Sequence, residues 1–392
     1  MNRVRPVIMC GGAGTRLWPF SRQELPKQLL PIVSDRSLLQ ETALRVSSDN
    51  FAAPIIVAGE EHRDLVEEQL REVGIEQQAT LLEPEPRNTA AVAALACEWA
   101  LSNGDDLLLL MPSDHVIMDK ASFVDAVLRA VPHALDGAIV TFGIRPSEPN
   151  TQYGYIEASP LVGADDVQRI DRFIEKPDSL SAAGFCKSGR HYWNSGIFLF
   201  RASTMIEELD EHLPATRATI ASAFKKRAED GNFIRPDGAC FGAAKEISLD
   251  YAVMQKTRRG LVVPVDMGWS DVGTWSSVWS SSPKDKDNNV LGGDVVTVGT
   301  RNSLIRSYGS ATIVTIGLQD LVVVGTRDAV LVAPMSRSDE VKNVVAQLAA
   351  AGRSCAKTLP ERVVSLEIGT ESGPYCIEED DIVRVEDGYG TA

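Results

Sequence analysis

Short apolar runs alternate with longer amphipathic stretches over the first 150 residues. RPVIMC (5–10), PIIVAG (54–59), ATLLEP (79–84), DLLLLMPSD (106–114) and AIVTFGI (138–144) predict strands. Between them SLLQETALRV (37–46), EHRDLVEEQLREVG (61–74), NTAAVAALACEWALSNG (88–104) and SFVDAVLRAVPHAL (122–135) predict helices. Gly74 and Gly104 stand where two of these helices should stop. Strand–helix alternation of this kind builds a parallel sheet with helices on both faces. The run at 106–114 is apolar on both faces, which predicts a central strand.

The rhythm loosens after residue 150. QYGYIEAS (152–159), VQRIDRFIEKP (167–177) and HYWNSGIFLFRA (191–202) read as strands, and residues 203–230 and 248–258 as helical. LVVPVDMGWSDVGTW (261–275) reads as a strand entering a loop, and PKDKDNN (283–289) as a polar linker. From 290 to 334 only short β-branched runs and small turns remain, the pattern of stacked strand coils. DEVKNVVAQLAAAG (339–352) predicts one closing helix. The expected division is a domain over 1–285, a β-rich domain over 286–350 and an acidic tail over 351–392.

Composition narrows the function. The net charge of −15 argues against a nucleic-acid partner, which demands a broad basic surface. No apolar run approaches the roughly 18 residues of a membrane span. The start MNRVRPVIMC lacks the form of a secretory leader, so a soluble cytoplasmic protein is expected. Cysteines at 10, 97, 186, 240, 355 and 376 suit neither a zinc site nor a disulfide framework. The charge is uneven: Arg3, Arg5, Arg16, Arg22 and Lys27 face only Glu24 in residues 1–30, whereas EEDD occupies 378–381. A basic patch on an acidic protein suits a small anion.

In an open parallel sheet, ligands bind beyond the carboxyl ends of the strands. CGGAGTRLWPFSRQELPKQ (10–28) leaves the first such end, and PSDH follows the fourth. The glycines match neither GxGxxG nor GxxxxGK[ST], so a tight structural turn and a phosphate loop both fit them. Arg16 and Lys27 in the same loop favour phosphate, with Trp18, Pro19 and Pro26 stiffening it. Asp114 fits a helix cap or a Mg²⁺ ligand, and Asp271 is a second acid beyond a strand. Glu175 and Lys176 share a target only if the strand ends there, as Pro177 suggests. Asn194 is either a satisfied core amide or a ligand of sugar hydroxyls.

GGAGTRLWPFSRQELPKQ, EPEPRNTA, LLMPSDH, YGYIEA, FIEKPD, WNSGIFLF, SLDYAVM and WSDVGTW occur in an order that resembles the sugar-1-phosphate nucleotidyltransferases. LWPFSR…PKQ with RNTA looks like the mannose-1-phosphate guanylyltransferase branch. The resemblance implies a Rossmann-like, mixed but mainly parallel sheet of the nucleotide-diphospho-sugar transferase type, with a β-helix-like C-terminal domain. It implies GTP and mannose 1-phosphate as substrates and Mg²⁺ as cofactor. Arg16 and Lys27 would hold the phosphates and Asp114 and Asp271 the metal. Gly11, Gly12, Gly14, Thr15, Asn88, Thr89 and Ser113 would line the nucleotide. Gly154, Glu175 and Asn194 would bind the sugar and Lys176 its phosphate, while Asp250 is a weaker carry-over.

Two departures stand out. Ala91 replaces the proline that often follows RNTA in the family. Bacterial relatives often continue into a cupin isomerase domain, but GTESGPYCIEEDDIVRVEDGYG (369–390) resembles only its last strands, and residues 352–365 hold no counterpart of its body. No phosphomannose isomerase activity is therefore expected. The same reaction on another hexose or heptose 1-phosphate, or a non-catalytic nucleotide-sugar-binding role, are the alternatives. A homo-oligomer through the β-rich domain is also expected, because exposed strand edges need covering.

Overall fold

The computed structural model describes residues 3–12, 14–104, 106–160 and 166–358, and the backbone of 375–376. They form two compact units, one of residues 1–11 with 36–271 and one of 12–35 with 272–392.

The first unit begins β1 (Arg5–Cys10), α1 (Leu38–Arg45), β2 (Ile55–Gly59), α2 (Arg63–Glu72), β3 (Ala79–Glu83), α3 (Asn88–Ser102) and β4 (Leu107–Pro112). It continues through β5 (Val116–Ile117), α4 (Lys120–Leu135), β6 (Ile139–Ile144), β7 (Gly154–Ala158), β8 (Gln168–Glu175), α5 (Ser179–Ser188) and β9 (His191–Arg201). It closes with α6 (Ala202–His212), α7 (Pro214–Lys225), β10 (Ala228–Asp230), β11 (Phe233–Arg235), α8 (Gly238–Gly242), β12 (Gly260–Pro264) and β13 (Trp269–Ser270).

The sheet order is β10-β11-β3-β2-β1-β4-β9-β6-β12-β8-β7. Strands β11, β3, β2, β1 and β4 run parallel, as the alternating pattern predicts. Past β4 the sheet is mixed, because β9 enters antiparallel between β4 and β6. The core gathers Val7, Ile55, Val57, Leu81, Leu108 and Leu110 from the strands around α3. Helix α3 is buried from Ala90 to Cys97, and its alanines let helix and sheet backbones approach closely. Helix α1 starts at a capping box, where the Gln40 N–H donates to Ser37 Oγ and the Ser37 N–H to Gln40 Oε1.

Three expectations need correction. Residues 203–230 hold two helices and a strand, because Pro214 cannot continue α6 and instead opens α7. The helix expected over 248–258 is a single π turn, Asp250–Met254. The polar segment 283–289 is ordered: Asp285 Oδ1 accepts from the Asp287 and Asn289 N–H groups, and Asn289 Nδ2 donates to Thr300 O.

The second unit contains α9 (Trp275–Ser281), β14 (Val290–Gly292), β15 (Val295–Val298), β16 (Leu304–Ser307), β17 (Ile313–Ile316), β18 (Leu321–Gly325), β19 (Val330–Pro334) and α10 (Val341–Ala350). Leu304 pairs Val322 and Val295 pairs Ile313, both in parallel, so equivalent positions recur one coil later. This is the expected β-helix-like stack, with Val295, Ile305 and Val323 inside. A last strand, β20 (Tyr375–Cys376), runs parallel to β15. The rest of the expected cupin-like remnant lies outside the described residues.

Candidate functional site

Two carboxylates, Asp114 and Asp271, stand at the ends of paired strands in the first unit. Strands β5 and β13 pair antiparallel, Ile117 with Trp269 and Val116 with Ser270. One step further along that register, Asp271 falls opposite His115, the neighbour of Asp114. The Tyr153 hydroxyl donates to Asp271 Oδ1 at 2.8 Å. The Trp269 indole N–H donates to His115 Nδ1 at 3.2 Å, which leaves the imidazole proton on Nε2, 3.6 Å from Asp114 Oδ1. The Tyr153 ring meets Trp193 and Trp269 edge-on at 5.0 and 5.3 Å. Tyr153 and Trp269 are absent from the sequence-derived set, although both lie inside its motifs.

Asp114 does not cap α4. That task belongs to Asp119, whose Oδ1 accepts from the Ser122 N–H at 2.9 Å. Two oxygen ligands suit a hard cation that fills its shell with phosphate and water. Among the described residues no group of three or more His, Cys, Asp or Glu is arranged for a metal. Cys10 ends β1, and burial raises its thiol to about 12, so it remains a protonated, inert side chain.

A second polar group gathers on the same unit. Strand β8 ends at Glu175, and Lys176 takes a left-handed conformation with φ +48°. The turn undoes the opposite-face rule of a strand and sets Lys176 Nζ 3.3 Å from Glu175 Oε1. A Cβ at Gly154 would meet Glu175 Oε2 at 2.5 Å, so this glycine leaves room for that carboxylate. Asn194 is held at both ends: Nδ2 donates to Asp250 Oδ1 at 2.9 Å, and Oδ1 accepts from Thr141 Oγ1 at 3.0 Å. One Asn194 N–H remains for a ligand. Burial first, then the charge of Glu175, raises Asp250 to about 6. Burial also raises Glu175, against the opposing ammonium of Lys176.

The carboxyl ends of β2 and β3 carry a further acid. Glu83 closes β3 opposite Gly59 and is buried. Burial, and then Glu61, raises it to about 7. Among the described residues no donor is paired with its carboxylate. Sequence reasoning passed over Glu83; the signal was a charged residue ending an otherwise apolar run. Nearby in sequence, Asn88 is left-handed at the start of α3, and its Oδ1 accepts from the Thr89 N–H. Thr89 Oγ1 accepts from the Leu249 N–H at 2.8 Å, so this hydroxyl braces the fold. Ser113 is buried one residue after β4, and a Cβ at Gly11 would meet no atom within 4 Å.

Gly12, Gly14, Thr15, Arg16 and Lys27 belong to the second unit. Arg16 lies in one 3₁₀ turn, Thr15–Leu17, and Lys27 opens another, Lys27–Leu29. Gly14 has φ +56°, and a Cβ there would fall 2.8 Å from Lys27 Cβ and 2.9 Å from its backbone nitrogen. Only glycine lets the two turns close on each other. Lys27 is buried, with Nζ 3.5 Å from Val272 O. Val272 has φ +45°, a strained conformation for a β-branched residue.

Residues 5–288 match the nucleotidyl transferase family, and residues 293–348 match the MannoseP isomerase/GMP-like beta-helix domain. The chain is 48% identical over 355 residues to Xanthan biosynthesis protein XanB of Xanthomonas campestris pv. campestris, covering 90% of this chain and 75% of that protein. It is 43% identical over 358 residues to the Mannose-1-phosphate guanylyltransferase of Escherichia coli, covering 90% and 75% respectively. A crystal structure from Thermus thermophilus, described as a mannose-1-phosphate geranyltransferase, superposes with TM-score 0.79 at 30% identity, covering 89% of this chain and all of that one.

Proposed function

The chain belongs to the nucleotidyl transferase family, and on that premise we propose that it transfers GMP from GTP to α-D-mannose 1-phosphate. A phosphate oxygen of the sugar attacks the α-phosphorus of GTP, the bond to the bridging oxygen breaks, and GDP-mannose and pyrophosphate form. The observation that supports this reading is the β5–β13 ladder, at whose end Asp271 follows Ser270 opposite the strand that follows Asp114 and His115, in the unit that also holds Glu175 and Asn194. The substrates are suggested by the relatives' names.

The attacking phosphate is already anionic, so no protein base is needed, and catalysis reduces to alignment and charge stabilisation. Asp114 and Asp271 would hold Mg²⁺, with Tyr153 fixing one oxygen of Asp271. Bound Mg²⁺ neutralises charge on the triphosphate oxygens. Arg16 takes the departing pyrophosphate and Lys27 the phosphates nearer the reacting centre. Glu175 and the remaining Asn194 N–H receive sugar hydroxyls, and Lys176 the sugar phosphate. Glu83 reads the base: guanine offers N1–H and N2–H donors side by side, and a buried carboxylate without a donor complements them.

Pyrophosphate release from GTP and mannose 1-phosphate, with and without Mg²⁺, tests the reading. Robust turnover with ATP or UTP and none with GTP would overturn the base assignment. A panel of hexose and heptose 1-phosphates at fixed GTP tests the sugar. Interconversion of mannose 6-phosphate and fructose 6-phosphate is expected to be absent, and its detection would refute that expectation.

A further inference from the structure

The described residues of 12–35 contain only two single 3₁₀ turns, yet they carry both proposed phosphate-binding cations. Local hydrogen bonds such as Leu17 N–H to Gly14 O and the Arg22–Leu25 backbone pair shape this segment. The segment is also tied to residues more than 240 positions later in the chain. Trp275 Nε1 donates to Trp18 O at 3.0 Å, and Trp18 Nε1 donates to Cys355 O at 2.8 Å. Phe20 stacks on Tyr308 with ring centroids 3.5 Å apart and planes 6° from parallel. Arg306 Nη1 donates to Ile32 O at 2.6 Å.

Arg22 is the centre of this arrangement. Its side chain is fully buried, although the basic character of residues 1–30 would have assigned it to the anion. Nη1 and Nη2 donate to Asp328 Oδ2 and Oδ1 at 2.6 and 2.5 Å. Nε donates to Pro19 O, Nη1 also to Thr358 O, and Nη2 also to Thr326 Oγ1. All five N–H donors are thereby engaged, so Arg22 has none left for a phosphate. Asp328 lies in the turn between β18 and β19, which the Thr326 N–H closes by donating to Ala329 O. The same turn braces the carboxylate, since Thr326 Oγ1 donates to Asp328 Oδ1 at 3.1 Å. Arg22 stands between Arg16 and Lys27 in the chain, and its backbone exchanges hydrogen bonds with Leu25, so fixing it fixes both flanks.

We propose that the β-rich C-terminal domain is a positioning element for the transfer reaction: Asp328, acting through Arg22, holds the loop that presents Arg16 and Lys27. The proposal rests on the reading of those two cations as phosphate ligands. It makes Arg22 and Asp328 positioning residues and gives the C-terminal coils a task in the chemistry of each single chain. The Arg22 guanidinium also holds the Asp328 carboxyl below its ordinary range, so the pair stays ionised throughout the neutral region.

The test begins with wild-type turnover on the substrate panel. An inactive wild type refutes the functional reading, and the remaining steps use whichever nucleotide and sugar phosphate react. Asp328→Asn keeps the shape and removes the charge. Arg22→Met with Asp328→Leu replaces the whole pair by apolar groups of similar size, which leaves neither charge buried without its partner. In both, kcat is expected to fall about 10- to 100-fold and KM for the nucleotide to rise, because a loop displaced by about 1 Å misplaces its cations. KM for the sugar phosphate should stay within about twofold. Asp328→Asn added to Lys27→Ala should cost less than about threefold more, because both act through one loop. Unchanged kcat and nucleotide KM in both variants, or full multiplication with Lys27→Ala, would overturn the proposal. Trypsin adds a readout that needs no turnover: cleavage after Arg16 and Lys27 should accelerate in both variants while thermal unfolding remains cooperative. Unaltered protection of both bonds would also overturn it.

Discussion

The strand-end groups of the first unit and the loop of residues 12–35 reach fixed positions by opposite routes. Asp114, Asp271, Glu175 and Asn194 sit within or next to the ladders of two sheets, and backbone register sets their neighbours. Arg16 and Lys27 lie on no strand, and in the proposed arrangement their loop is held by side-chain contacts such as Arg22 with Asp328. A sheet places a carboxylate through many small, redundant hydrogen bonds. A tethered loop places a cation through a few strong ones, so one substitution far away in sequence can undo it.

The largest effects should come from the groups at the ends of both routes. Asp114→Asn, Asp271→Asn and Lys27→Ala are each expected to lower kcat by about 10²- to 10³-fold with the fold intact. Steady-state rates alongside thermal melts would check this, and unchanged rates for either aspartate would remove it from the metal site. Arg16→Ala should act mainly on kcat if the side chain follows the departing pyrophosphate. A pure rise in KM would move it to ground-state binding.

Gly14→Ala probes the loop without touching a charged group. The added Cβ meets the Lys27 backbone in a left-handed conformation, so it must push the two 3₁₀ turns apart. A loss of about 10-fold or more in kcat/KM is expected, against little change at the sheet-borne sites. Full activity in Gly14→Ala would mean that the loop tolerates displacement and would erase the contrast between the two routes.

Glu83→Gln should reduce kcat/KM for GTP by about 10²-fold relative to ATP, because one acceptor of the base becomes a donor. The same variant carries a stability signature. The Glu83 carboxyl lies near 7 in the folded chain, above its ordinary value of 4.5, so the folded state binds the extra proton. Its contribution is therefore present at low pH and is lost as pH rises through about 7. Melting temperature of the ligand-free protein should fall between about pH 5 and 7, and Glu83→Gln should flatten that slope. An unaltered slope would assign it to other groups.

The smallest effect is expected at Asp250. Raised to about 6, it protonates below that pH and weakens its hold on Asn194 Nδ2. KM for mannose 1-phosphate should rise about two- to fivefold between pH 7.5 and 5.5 in the wild type and less in Asp250→Asn. A parallel pH profile in both proteins would reduce Asp250 to a structural role.

Much of this was readable along the chain because local physics decided it. The strands of the parallel half and α1 to α4 announce themselves through period, capping and breakers such as Ser37 and Gly74. The β-branched runs after 290 announce their coils in the same way. The motif order placed Asp114, Asp271, Glu175 and Lys176 in one candidate site without saying which touch. Other features depend on partners distant in sequence. Whether Lys176 shares a face with Glu175 was settled by a left-handed residue at a strand end. The burial of Glu83 follows from where β3 ends within the sheet, and the charge run in residues 1–30 conceals the difference between Arg22 and Arg16. Elements of secondary structure are set by neighbours a few positions away, so the sequence determined them and the type of chemistry. The partners of Arg22, Trp18 and Tyr153 lie 306, 337 and 118 positions away. Only tertiary packing could decide which charged groups are buried in an ion pair.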